Sequence, residues 1–178
     1  MASRFAPEIP FPPYSFVPGL YPHPNNDPEG HSYALAREEK ITFHPEEWRD
    51  SRLYLYGIDL FNHGYYWEAH ETWEELWIAC GRHGITADFV KGLIKLAAAG
   101  VKVREGVPEG VRKLAQGARL LFHKTAQRLG SEDARYLGLS VKELVQFSYE
   151  IAEWPTQDDS FIAQSIAVVF SFFLKPEL

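Results

Sequence analysis

The chain has 178 residues with 18 Lys and Arg against 24 Asp and Glu, a net charge of -6, and its basic residues are scattered. That balance argues against nucleic acid and against acidic membrane surfaces, both of which want a concentrated basic face. A single cysteine, Cys80, excludes an internal disulfide and fits a reducing cytoplasm. One domain is the default at this length, able to bury roughly two thirds of its unfolded surface.

Prolines stand where the apolar core of a secretory signal would lie, and the longest nearly unbroken apolar run, Ile166 to Leu174, is about half of the ~20 residues a spanning helix needs. A soluble, cytoplasmic protein is expected. Residues 1–36 hold eight of the twelve prolines, so they form an extended arm or a series of turns. Phe5, Ile9, Phe11, Tyr14, Phe16, Val17, Leu20, Tyr21 and Tyr33 give this arm more apolar surface than a solvated tail tolerates, so it should lie along the rest of the chain or a partner copy. Within it His23, Asp27 and His31 recur every four residues.

Residues 37–178 read as one helical domain. Pro45 followed by Glu46 and Glu47 starts a helix that runs to about Asn62, with Trp48, Leu53, Tyr56 and Leu60 facing inward and Gly64 supplying the stop. A second helix spans about Tyr65 to Cys80, ended by Gly81. Thr86 is the N-cap candidate of a third, running to about Arg104, with Phe89, Leu93, Leu96, Ala97 and Gly100 as its buried stripe and Lys91, Lys95 and Lys102 on a solvated face. Pro108 begins the fourth, whose stripe Val111, Leu114, Ala115, Ala118, Leu121, Phe122, Thr125 and Leu129 stops at Gly130, leaving His123 on the surface. Ser140 with Glu143 is a capping box for the fifth, which ends before Pro155. The run FIAQSIAVVFSFFLKPEL at the end suits a short buried helix or an extended tail, with helix favoured. The fold class is therefore all-α: a compact bundle of about five helices with a proline-rich N-terminal arm packed on it.

The second helix, YYWEAHETWEELWIACG, carries the chemistry. At about 100° per residue, Tyr66, Ala69, His70, Trp73, Leu76, Trp77 and Cys80 share an apolar arc, and Glu74 projects beside His70 between apolar flanks. Glu68, Thr72 and Glu75 point away as solvated surface, and Glu71 sits at the boundary. A carboxylate and an imidazole enclosed together must bond each other or a third group. They are either a structural pair or a site in which His70 acts as base or metal ligand and Glu74 orients or completes it, with Glu71 at the rim and Tyr66, Trp67, Trp73 and Trp77 lining a pocket. The HExxE string has glutamate where the HExxH zinc signature has its second imidazole, which argues against zinc-protease chemistry. A divalent metal held by His70 with His23, Asp27 and His31 folded over from the arm is the remaining metal arrangement, against which stands the turn character of PHP and DPEG. Cys80 at a helix C-terminus has the wrong dipole end for an activated thiolate.

The strings FNHGYYWEAHETWEELW and KGLIKLAAAGVKVREG, with the amphipathic repeat after Pro108, resemble the small bacterial and archaeal family of domain of unknown function 309 over roughly residues 50–130. The resemblance implies an all-helical bundle and places His70, Glu71, Glu74 and Trp77 at the family's HExxExxW positions, with Gly92 and Leu93 in the following GL signature. It implies no activity. Lys91 and Lys95 depart from the family pattern, which commonly has glutamine there.

Two functional classes follow. One is a small-molecule or metal-binding pocket, hydrolytic or not, around His70 and Glu74. The other is a noncatalytic interaction or self-association module, forming a homo-oligomer through the arm or a helical face, in which His70 and Glu74 are a structural pair.

Overall fold

Pro45, Glu46 and Glu47 start a 3-10 turn, Pro45–Asp50, rather than the first α-helix. The structure, a computed structural model, describes residues 4–34, 41–153 and 164–178. Glu47 leaves helical geometry and Ser51 is extended, so the single helix expected from Pro45 to Asn62 is broken in two. The cause is a cap: the Ser51 hydroxyl accepts the Tyr54 N–H at 3.3 Å and restarts the chain as α1, Arg52–Asn62.

Four further helices follow: α2, Tyr66–Ala79; α3, Ile85–Arg104; α4, Pro108–Leu129; and α5, Val141–Ala152. The third starts at Ile85 behind Gly84, and Thr86 is spent elsewhere, its hydroxyl 2.7 Å from that of Tyr136. Gly130 at φ 73 closes α4 and the Ser140 hydroxyl caps α5 by accepting the Glu143 N–H, as expected. Between α4 and α5 an unexpected hairpin pairs β1, Arg135–Tyr136, with β2, Leu139–Ser140. Its two-residue loop holds Leu137 at φ 46 and Gly138 at φ 79, the left-handed pair that the twist of a tight hairpin demands. Among the described residues, no helix is long and apolar enough to cross a membrane.

Each helix packs on its sequence neighbours, and α3 lies between α2 and α4. The expected stripe of α3, Phe89 to Gly100, is wholly buried. Small residues set the approach distances: an added Cβ at Gly92 would lie 2.5 Å from the Phe122 ring, and one at Gly100 2.5 Å from the Tyr66 ring. The lysines of α3 do not share a solvated face. Lys91 turns to Glu74, Lys95 runs over Gly117 of α4, and Lys102 pairs with Glu105.

The last segment is not helical where it is described. Residues 164–178 form neither helix nor strand, with Ala167, Val169, Leu174 and Pro176 buried and Val168, Ser171, Phe173 and Lys175 exposed; residues 161–163 lie outside the described part. Side chains of the bundle take the place of helical hydrogen bonds. The Asn62 amide both donates to the Leu174 carbonyl and accepts its N–H, each at 2.8 Å, and the Tyr66 hydroxyl accepts the Val169 N–H at 3.0 Å. The arm is likewise built of turns, and it packs on the bundle through Ala6, Phe16 and Val17.

Two predictions follow from this packing. Helical Gly→Ala changes usually stabilise by up to about 1 kcal/mol, but Gly100→Ala should destabilise by about 1–3 kcal/mol in chemical denaturation because its methyl overlaps the Tyr66 ring. Burial raises the phenols of Tyr54 and Tyr66 above their ordinary value of 10.0 and pushes Tyr56 up to about 12. A raised acid keeps its proton better when folded, so this stability is complete below pH 10.0 and falls as pH rises towards about 12. Unfolding followed with tyrosinate absorbance should show that alkaline loss, and Tyr56→Phe should reduce it.

Candidate functional site

Three faces of α2 do different work. Tyr66, Ala69, Trp73 and Leu76 point into the core. Tyr66 and Trp73, expected among the pocket residues, are fully enclosed there: the Trp73 indole N–H reaches the Tyr54 carbonyl at 3.4 Å, and an added Cβ at Gly57 would lie 2.2 Å from the same nitrogen. The second face carries His70, Glu71 and Glu74, with Trp67 and Trp77 partly exposed on its flanks. Its side chains are 26%, 37% and 35% exposed.

On this face His70 Nδ1 lies 3.2 Å from Glu71 Oε1, and His70 Nε2 lies 3.9 Å from Glu74 Oε2. The first is an ion-pair distance without hydrogen-bond geometry, so Nδ1 is screened from solvent and has no hydrogen-bond partner; the second is beyond hydrogen-bond reach. The other oxygen of Glu74, Oε1, is 3.5 Å from Lys91 Nζ, and that ammonium sits 4.0 Å above the Trp77 ring. One donor atom from each of His70, Glu71 and Glu74 can be chosen so that all three lie within 4.8 Å of one another. Among the described residues this is the group of three that could hold a metal ion. One imidazole and two carboxylates form a mixed nitrogen and oxygen set, suited to Zn, Mn, Fe, Co or Ni rather than to the all-oxygen shells of Ca and Mg. A cavity of about 330 Å³ lies elsewhere, lined by Trp48, Arg49, Arg135, Gly138 and Glu177 among others, none of them in α2. At the end of α2, burial raises the Cys80 thiol, keeping it protonated and a poor nucleophile.

The structure groups His70 with its helix neighbours and gives the arm residues other partners. His23 packs its ring against Phe16 and Trp67 and accepts the Asn25 N–H, and Asp27 accepts the Glu29 N–H at 2.9 Å in a turn of its own. His31 lies with Nε2 3.3 Å from Glu68 Oε1. That contact belongs to the third face of α2 and corrects the sequence reading, in which Glu68 is solvated. Glu68 is only 6% exposed, and besides His31 it accepts the Phe16 N–H at 2.8 Å. Helical geometry gives the direction of Glu68, but the arm lies in that direction. Glu75 is exposed, as expected.

Two more buried charges hold the same arm. Asp59 of α1 accepts the N–H groups of Phe5 and Ala6, one on each oxygen at 2.8 Å, with Arg4 beside it at 3.4 Å. Arg104 of α3 donates to the carbonyls of Ser15 and Gln164, and burial lowers its pKa while Tyr21 and Glu68 oppose that shift. Sequence reading missed both. An aspartate inside the apolar run LYGIDLF was an available signal, since a carboxylate in a buried stripe requires donors. Arg104, in the last turn of its helix, gave none.

Residues 54–114 match the family described as a domain of unknown function, DUF309. The match covers about a third of the chain and identifies that stretch as similar to the family. The DUF309 stretch runs from α1 into α4 and contains His70, Glu71, Glu74 and Lys91, whereas the arm, α5 and the tail fall outside it. It is shorter at both ends than the region the sequence motifs suggest. No curated protein and no solved structure matches the chain.

Removing Glu68 should release the arm. Glu68→Ala leaves the Phe16 N–H without its buried acceptor, removes the negative charge near Arg104, and should cost about 3 kcal/mol in denaturant unfolding. Limited proteolysis should then cleave within residues 4–34 under conditions that leave the wild-type arm intact.

Proposed function

We propose that the chain binds one divalent transition-metal ion at His70, Glu71 and Glu74, and that a small ligand or water completes the shell. The observation that carries this reading is the convergence of the three donor atoms on one exposed helical face. Donors around an ion at about 2.1 Å lie about 3 to 4 Å apart, so small rotations of partly exposed side chains close the 4.8 Å spread. Three protein ligands leave coordination positions open, the pattern of a reactive rather than a closed structural site. A bound ion would supply Lewis acidity to whatever donor completes its shell, which is the chemistry of a hydrolytic centre.

The competing reading, a noncatalytic module in which His70 and Glu74 are a structural pair, has less support. A structural pair should close its hydrogen bond, and this one stands at 3.9 Å with His70 Nδ1 unpartnered as well.

Titration of the tag-free, metal-stripped chain with Mn2+ and Zn2+ by calorimetry tests the proposal. One ion should bind per chain, with affinity falling at least roughly 10-fold in His70→Ala and Glu74→Gln. Both variants should keep their unfolding free energy within about 0.5 kcal/mol, because the site residues are partly exposed. Absence of binding, or binding that survives both changes, would overturn it.

A further inference from the structure

We infer that Lys91 is the resident cation of the His70, Glu71 and Glu74 site, and that an ion bound there turns Lys91 into the holder of an anionic ligand. The inference rests on the metal-binding reading above and concerns the class of molecule the site takes.

Glu74 divides its two oxygens. Oε1 is paired with Lys91 Nζ at 3.5 Å, and Oε2 faces His70. An ion can therefore enter through Oε2 without dislodging the lysine, and the ammonium then stands roughly 5 Å from a doubly charged centre. Two effects of opposite sign act on the ion. Lys91 orients the carboxylate, a contribution no larger than that of a partly exposed ion pair, and it repels the ion. At this separation the repulsion between a single and a double charge is the larger. Lys91 therefore weakens metal binding on balance.

The same arrangement recruits an anion. Once the ion has neutralised the two carboxylates, the positive charge of Lys91 is no longer offset at the site. The Trp77 ring keeps it in place, with the ammonium 4.0 Å from one ring and the Arg82 guanidinium 5.6 Å from the same indole. An oxyanion that gives one oxygen to the ion and another to Lys91 satisfies both. A carboxylate or phosphate group fits this chemistry, whereas a neutral or cationic ligand leaves Lys91 facing the ion uncompensated.

The test uses the full chain, Mn2+ as the ion and sulfate as the probe anion, and reads Mn2+ affinity with and without sulfate. Wild type should bind Mn2+ more tightly when sulfate is present. Lys91→Met should bind Mn2+ alone roughly 5-fold more tightly than wild type and lose the sulfate enhancement. Lys91→Arg, which keeps the charge, should behave as wild type, separating charge from packing. If the wild type binds Mn2+ but Lys91→Met neither tightens it nor loses the sulfate effect, the role given to Lys91 is wrong and the metal site stands. If the wild type binds neither Mn2+ nor Zn2+, both fall.

Discussion

Asp59, Glu68 and Arg104 are buried charges that all bond main-chain groups of the two chain ends, Asp59 and Glu68 with Arg4 and His31 of the arm beside them. Unpaired, each would carry a desolvation penalty of several kcal/mol, more than a marginally stable chain can lose. The helices cannot supply the partners, because their own backbone groups are spent in helical hydrogen bonds. The peptide joining Ser15 to Phe16 supplies them: its carbonyl accepts from Arg104 while its N–H donates to Glu68. One peptide unit thus sits between a buried anion on α2 and a buried cation on α3, and its dipole is aligned with both. The proline-rich arm therefore follows the bundle because it brings donors and acceptors to the charges buried there.

This division also explains why α2 can carry a site at all. A helix that packed its whole circumference would leave no side chain free to meet a solute. Here the core takes Trp73 and Leu76, the arm takes Glu68, and the remaining arc holds His70, Glu71 and Glu74 partly in solvent. Because the other two faces are packed, the backbone beneath these three side chains is held, and only their outer torsions remain to be adjusted. Precision of that kind is what a site on a helix gains over a site on a loop.

Legibility in the sequence followed the reach of each signal. The ends of α4 were plain, because Pro108 and Gly130 act on their own backbone, and so was the Ser140 cap. The break at Ser51 was hidden because Pro45 gave an equally good start signal six residues earlier. The tail was misread because its apolar run suits helix or strand, and the deciding groups, Asn62 and Tyr66, lie about a hundred residues away. The candidate site was legible as a patch on α2, since i and i+4 positions meet on any helix. The burial of Glu68 and the pairing of Lys91 with Glu74 were not, since each depends on an element packed against α2 rather than on α2 itself.

The long sequence separations of those anchoring contacts bear on how the chain reaches this structure. Helix pairs joined by short loops form from local contacts, and local contacts form early. The bonds of Asn62 to Leu174 and of Ser15 to Ser165 close loops of more than a hundred residues, whose entropy is lost before the contact returns anything. On that argument the helical meander is expected to assemble first with Asp59, Glu68 and Arg104 still hydrated, and the arm and tail to dock on it afterwards. Dehydration of three charges would then be the last step of folding, and its reversal the first step by which the molecule comes apart.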